Sequence, residues 1–244
     1  RPVPEVAAER TLAAADRLLA GEITVFGRTF PFDVAHGPLA DWHLDPRSEV
    51  RWPADRPWWR IDVRGEERPG DVKWVWEAAR HRHLVVLARA AHLRPDDRRL
   101  AGAVASALTG WSDGVPLERS VHWLSNLELA LRSLSWLQAF ALAPHAVQGH
   151  ARAVAERELR VVRRHLELGL ARTRASMPNN HLVGDLVGLA VLQRSFGASD
   201  AADRTDGLLV EQVAREVRPD GSTIEESLSY HRFVLELLAL RLLA

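Results

Sequence analysis

Cysteine is absent from the 244 residues, so neither disulfides nor thiol chemistry operate, and the redox compartment is left open. Neither sign of charge is in excess. Lysine plus arginine and aspartate plus glutamate number 32 each, so no global field draws the chain to nucleic acid or to an anionic membrane. A local basic patch is still allowed by that balance. No apolar run approaches the roughly 20 residues of a membrane span. His150, His165 and His181 lack the tight spacing of metal ligands, and no HExxH or paired His/Cys set occurs, so no metal or other cofactor is expected within this chain. No secretory signal pattern is seen, and the chain starts at Arg1 rather than methionine, so a trimmed start is expected. Tyrosine occurs once against nine tryptophans, which makes Tyr230 worth following.

What is present divides in two. Residues 4–20 carry Val6, Leu12, Ala13, Leu18 and Leu19 among charges and predict an amphipathic helix ended by Gly21. Residues 22–62 hold seven or so helix-breaking prolines and glycines together with Trp42, Trp52, Trp58 and Trp59. Prolines argue against a continuous helix and aromatics against disorder. They predict an ordered, irregular arm lying on the main body, with a short strand at Ile23-Thr24-Val25-Phe26. From residue 63 on, helices are expected over 72–93, 97–111, 123–143, 146–172, 181–196, 200–217 and 224–243, joined by short turns. The expected division is therefore 1–62, a helix and arm, and 63–244, a helical body. The run from Phe233 to Leu243 is apolar on several faces and stops at Ala244, so it needs a cover, and the chain is expected to be a fragment.

Chemistry concentrates at Met177-Pro178-Asn179-Asn180-His181, just before the apolar run that starts at Leu182. Proline disfavours helix in the residue before it and asparagine favours the N-cap, so a loop should feed a helix with Asn179 or Asn180 near its cap. Backbone N–H groups and the positive end of the macrodipole then point with the side chains, a setting that suits a carboxylate. Further along, Gly221 to His231 predicts a turn, a capping box of Thr223 with Glu226, and a helix with Glu225 just inside it and Tyr230 and His231 about two turns in. Trp123, Leu127, Ala130 and Leu131 recur at helical spacing. Glu128 and Arg132 read either as an i,i+4 pair or as groove lining, with Trp123 either core or a sugar platform.

Taken in order, Asp71-Val72-Lys73 through Arg80, Trp123-x-Ser125 through Arg132, Arg163-x-His165, Asn179-Asn180-His181 and Gly221 through Tyr230-His231 resemble the helical N-terminal domain of the heparinase II/III superfamily, which includes oligoalginate lyases. The resemblance implies an all-α fold, an incomplete α/α toroid of helical hairpins, followed in the family by a β-sandwich domain that is not seen here. It implies a polysaccharide lyase cleaving uronic-acid glycans by β-elimination, with an acidic polysaccharide or oligosaccharide as partner. Tyr230, His181 and Asn180 carry over as catalytic residues: acid/base, base or positioner of Tyr230, and neutraliser of the substrate carboxylate. Asn179, Trp123, Glu225, His231 and Arg132 carry over as substrate-binding or supporting residues, with Arg132 and Arg164 steering the anionic chain. A structural metal is expected only in the missing β-sandwich, and export to the periplasm or beyond is favoured over the cytoplasm. The fragment alone is expected to be inactive. The alternative is a non-catalytic helical scaffold or glycan-binding module on the same fold.

Overall fold

The computed structural model describes residues 4–66 and 68–243, so the expected trimmed start at Arg1 and stop at Ala244 fall outside it. The chain is mostly helical, as expected. Helix α1 (Glu5–Leu19) ends at Ala20 and Gly21, whose φ of +85° a glycine adopts without strain. Strands β1 (Glu22–Val25) and β2 (Arg28–Asp33) pair antiparallel, Val25 opposite Arg28. Phe26 and Gly27 between them both have positive φ, the two-residue turn that matches the twist of a hairpin. A short β3 (Gly37–Pro38) completes the sheet.

The body comprises α2 (Lys73–Ala79), α3 (Arg82–Leu93), α4 (Arg98–Gly114), α5 (Asn126–Leu142), α6 (Gly149–Ser176), α7 (Asn180–Ser195), α8 (Ser199–Glu216) and α9 (Leu228–Leu243). Several boundaries shift by three or four residues, α5 starting at Asn126 and α6 running over Gly149–Ser176, and two of the differences have a clear physical cause. The helix expected over 72–93 breaks at Arg80–His81, where His81 is left-handed with φ 57°. Tertiary bonds hold this break: the Arg80 carbonyl accepts from Ser135 Oγ (2.7 Å) and the His81 ring from Trp136 Nε1 (2.8 Å). The last helix starts at Leu228 instead of Ile224. Residue 223 pairs with Val217 and the Ile224 N–H bonds the Glu216 carbonyl, so the Thr223–Glu226 capping box does not form.

Helices α3, α5, α7 and α9 pack in series, while α4, α6 and α8 return the chain. Successive members of the first row run the same way. His81 meets Trp136 and His92 meets Leu142, then Leu127 meets Gly184 and Ala130 meets Gly188. The two glycines, one turn apart, let α5 and α7 approach closely: a Cβ on Gly188 would sit 2.5 Å from that of Ala130.

The arm does more than lie on the body. Ile23, Val25, Phe32 and Trp42 share one apolar cluster with Leu87, Val104, Trp111 and Trp136. Within it, the rings of His81 and His83 pack against Trp42, and burial pushes both imidazoles below their ordinary range, so they are neutral. On α9, Leu228, Leu235, Leu242 and Leu243 are exposed, while Val234 and Leu237 pack inward. Among the described residues no helix is long and apolar enough to cross a membrane.

Candidate functional site

A cleft of about 1190 Å³ opens where the arm meets the starts of α2, α5 and α7 and the end of α6. One wall is Trp58 and Trp59 of the arm with Arg64 and Arg68 just beyond it, and α2 adds Lys73. The other wall is Leu124 to Leu127 at the start of α5, Arg172 and Thr173 on α6, and His181 with Asp185 on α7. Trp59 is 64% exposed, an indole face open to solvent. Arg64, Arg68, Lys73 and Arg172 outnumber the acidic lining residues Glu66, Asp71 and Asp185 among the described residues. Asp71 is partly satisfied locally, since its Oδ1 accepts from the Lys73 N–H (3.1 Å). The neutral total charge thus leaves a small local excess of basic side chains among the described lining residues.

Asn179 is the N-cap of α7, its Oδ1 accepting from the His181 N–H (3.1 Å). The anion suited to this helix end is already in the protein. Glu225, 45 residues on, accepts from the Asn180 backbone N–H (3.2 Å) and from Asn180 Nδ2 (2.9 Å). Asn180 is only 4% exposed and does not line the cleft. The expectation that it meets the substrate carboxylate is therefore corrected: its amide donor is held by Glu225. Glu225 in turn supports Asn180 rather than substrate, and it lies in the lead-in to α9, not inside the helix.

His181 does face the cleft. Burial lowers its pKa, reinforced by Arg80 and Arg64 and opposed by Glu128 and Glu225, so the ring is neutral at neutral pH and able to accept a proton. One turn on, at i+4, Asp185 lies on the same helix face, 1% exposed, with neither carboxyl oxygen hydrogen-bonded among the described residues. Burial pushes its pKa up to about 7, against the pull of nearby Thr173, Asn126 and Arg172.

Tyr230 stands in the first turn of α9, 51% exposed, its hydroxyl free of hydrogen bonds among the described residues. It is five residues beyond Glu225 and so at the same end of the row as the α7 start, but it does not line the cleft. Its neighbour His231 is half-buried and also outside. Trp123 is fully buried, with His165 edge-on to its ring, and so is core rather than a sugar platform. Arg132 is 2% exposed, 3.5 Å from Glu158, with its guanidinium over the Trp111 ring at 4.5 Å. Glu158 also accepts from Trp111 Nε1 at 2.8 Å. Neither Trp123 nor Arg132 can touch a glycan from there; an indole and a guanidinium at helical spacing serve the inside as well as the outside. Glu128, the other half of the expected i,i+4 pair, instead accepts from Nε and Nη2 of Arg80, each at 2.8 Å. Arg164 is exposed on α6 but does not line the cleft, whereas Arg172 does.

The residues missed by sequence reasoning are Trp59, Arg64, Arg68, Arg172 and Asp185. Asp185 left a trace, as a lone charge in an otherwise apolar run from Leu182 to Leu192. The others gave none, since exposed arginines and an arm tryptophan carry no local signature.

The start of α5 differs from that of α7. Ser125 makes no side-chain cap, and the N–H groups of Asn126, Leu127 and Glu128 find no acceptor among the described residues. An uncapped helix start on a cationic cleft is a receiver for anions. No group of three or more side chains that could hold a metal ion occurs among the described residues. Compared with protein-family models, curated proteins and solved structures, the chain finds no match in any of the three.

Proposed function

We propose that this chain is the helical part of a polysaccharide lyase that cleaves uronic-acid glycans by β-elimination. Its two rows of helices are, in this reading, an incomplete α/α toroid. One observation carries the proposal: a neutral imidazole, His181, lines a cation-rich cleft that also offers an exposed indole, Trp59. Indole faces suit the apolar side of a pyranose, and arginines suit its carboxylate.

In the reaction, His181 takes the C5 proton of the uronate. The released electron pair forms the C4=C5 double bond, the C4–O bond breaks, and the departing oxygen takes a proton. Tyr230 keeps the last role from the family resemblance, supported by its exposed position in the first turn of α9. The second reading, a non-catalytic glycan-binding scaffold, is favoured by the position of Tyr230 outside the cleft.

The test is ultraviolet absorbance from unsaturated uronate when the intact protein meets a panel of polyuronates. The lyase reading expects signal with at least one, cut by about 10²–10⁴-fold in His181→Gln, the range for loss of a general base. Binding of a polyuronate with no absorbance change on any substrate establishes the scaffold. Signal unchanged in Tyr230→Phe removes tyrosine from the mechanism and leaves His181 in it.

A further inference from the structure

Proton removal beside a carboxylate requires that carboxylate's charge to be offset. Asn180, held by Glu225, does not reach the cleft. The uncapped start of α5 does, and three observations converge there. Helix α5 is 17 residues long, and the N–H groups of its first turn find no acceptor among the described residues. A helix of that length carries about half a positive charge at this end. Arg172 lines the cleft from the end of α6. Between them, at the floor, lies Asp185, buried, with neither oxygen hydrogen-bonded among the described residues, though Thr173 and Asn126 stand close enough to pull its pKa down. Asn126 and Thr173 flank it and bond one another, Nδ2 to Oγ1 at 3.2 Å.

We propose that this corner is a carboxylate-receiving subsite, in which the α5 first-turn N–H groups and Arg172 hold a sugar carboxylate and Asp185 admits it only when protonated. The inference rests on the reading of the cleft as a receiver of acidic sugars and says where in it the carboxyl goes. Asp185 is a positioning residue here: its oxygens are shielded from solvent, so it acts through the field at the floor, not by contact. An ionised Asp185 repels the incoming anion and competes for the helix dipole, whereas a neutral one does neither. Its raised pKa of about 7 puts the change in the neutral range. Arg172 and Thr173 face it from α6, Asn126 from α5 and His181 from its own helix. Across the cleft stand Arg64, Glu66, Arg68, Asp71 and Lys73. His181 titrates below its ordinary range, so a transition near or above pH 7 belongs to Asp185.

The experiment measures binding of acetate and of an oligoglucuronate to the intact protein between about pH 5.5 and 8.5, read from tryptophan fluorescence and the His181 ring shift. Wild-type affinity should fall above about pH 7, approaching tenfold per pH unit, because binding takes up one proton. Asp185→Asn, neutral at every pH, should keep the low-pH affinity throughout. Ser125→Asp, which fills the α5 start with its own anion, should lose binding at every pH while remaining folded by circular dichroism. An Asp185→Asn profile that still falls like wild type overturns the proposal, as does failure of both probes to bind at pH 6. Acetate bound with the expected profile and oligoglucuronate not bound supports the subsite and ends the glycan reading. Lyase activity whose pH profile is untouched by Asp185→Asn does the reverse.

Discussion

The starts of α5 and α7 lie against one another, Leu127 beside Gly184, yet they are finished in opposite ways. At α7 the terminus is closed: Asn179 caps it and Glu225 supplies an internal anion. At α5 the terminus is open: its Ser125 side chain does not cap, and it faces the cleft. A helix end with its own carboxylate is structural, and one without is available to a ligand. The sequence makes the closed end look functional, because asparagines and an imidazole advertise it, while the open end shows only a serine.

The contrast can be sharpened first at the floor of the open end. Asp185 has its carboxyl pKa raised by folding from 3.8 to about 7. The folded state therefore holds this proton more tightly than the unfolded state. The stability it contributes is fully present below pH 3.8 and is lost as pH rises through about 7. Asp185→Asn should thus be increasingly favourable relative to wild type from pH 4 to pH 8, by on the order of 2–4 kcal/mol in urea denaturation. A difference independent of pH would show that Asp185 is ordinarily ionised. The closed end can be broken next. Glu225→Ala leaves the Asn180 amide buried without its acceptor and should cost about 1–3 kcal/mol. It should also let α7 take up an anion. No loss of stability would mean that water replaces the glutamate at no penalty. The smallest effect is expected from closing the open end: Ser125→Asp should raise stability by about 0.3–1 kcal/mol at neutral pH and lose that gain in high salt. A destabilised variant would count against an unoccupied α5 terminus.

What was legible in the sequence was local. Asn179 as cap, Gly21 as helix stop, the strand near Ile23 and most helix breaks depend on residues within about four positions of one another, and they lie close to where they were expected. What failed was partnership at long range. Glu225 reaches Asn180 across 45 residues and Arg80 reaches Glu128 across 48. No periodicity encodes either pairing. The break at His81 was hidden for the same reason, since a histidine becomes left-handed there only because Trp136 and Ser135 hold its neighbourhood. Trp123 and Arg132 were misplaced because amphipathic side chains have the same spacing whether a helix face meets solvent or another helix. His181, singled out from its motif, does line the cleft, whereas the wall opposite it comes from a stretch that reads only as irregular.

That wall has a further consequence. Its ends are pinned: Trp52 is buried with Val72, Val75 and Val121, the Ser120 N–H bonds the Arg56 carbonyl at 2.8 Å, and Asp71 starts α2. Between those pins, Val63 packs against the same cluster and Arg64 and Arg68 line the cleft, while among the described residues Asp62 bonds only the backbone of its own turn. Replacing 64–69 by a glycine–serine run of equal length, with Val63 kept, should cost about 1 kcal/mol or less, measured by thermal melting, and a collapse of the fold would refute this. The segment then behaves as an exchangeable cassette: diversification among descendants of such a chain can rewrite the charge on this side of the cleft through a handful of positions, leaving the helical chassis untouched.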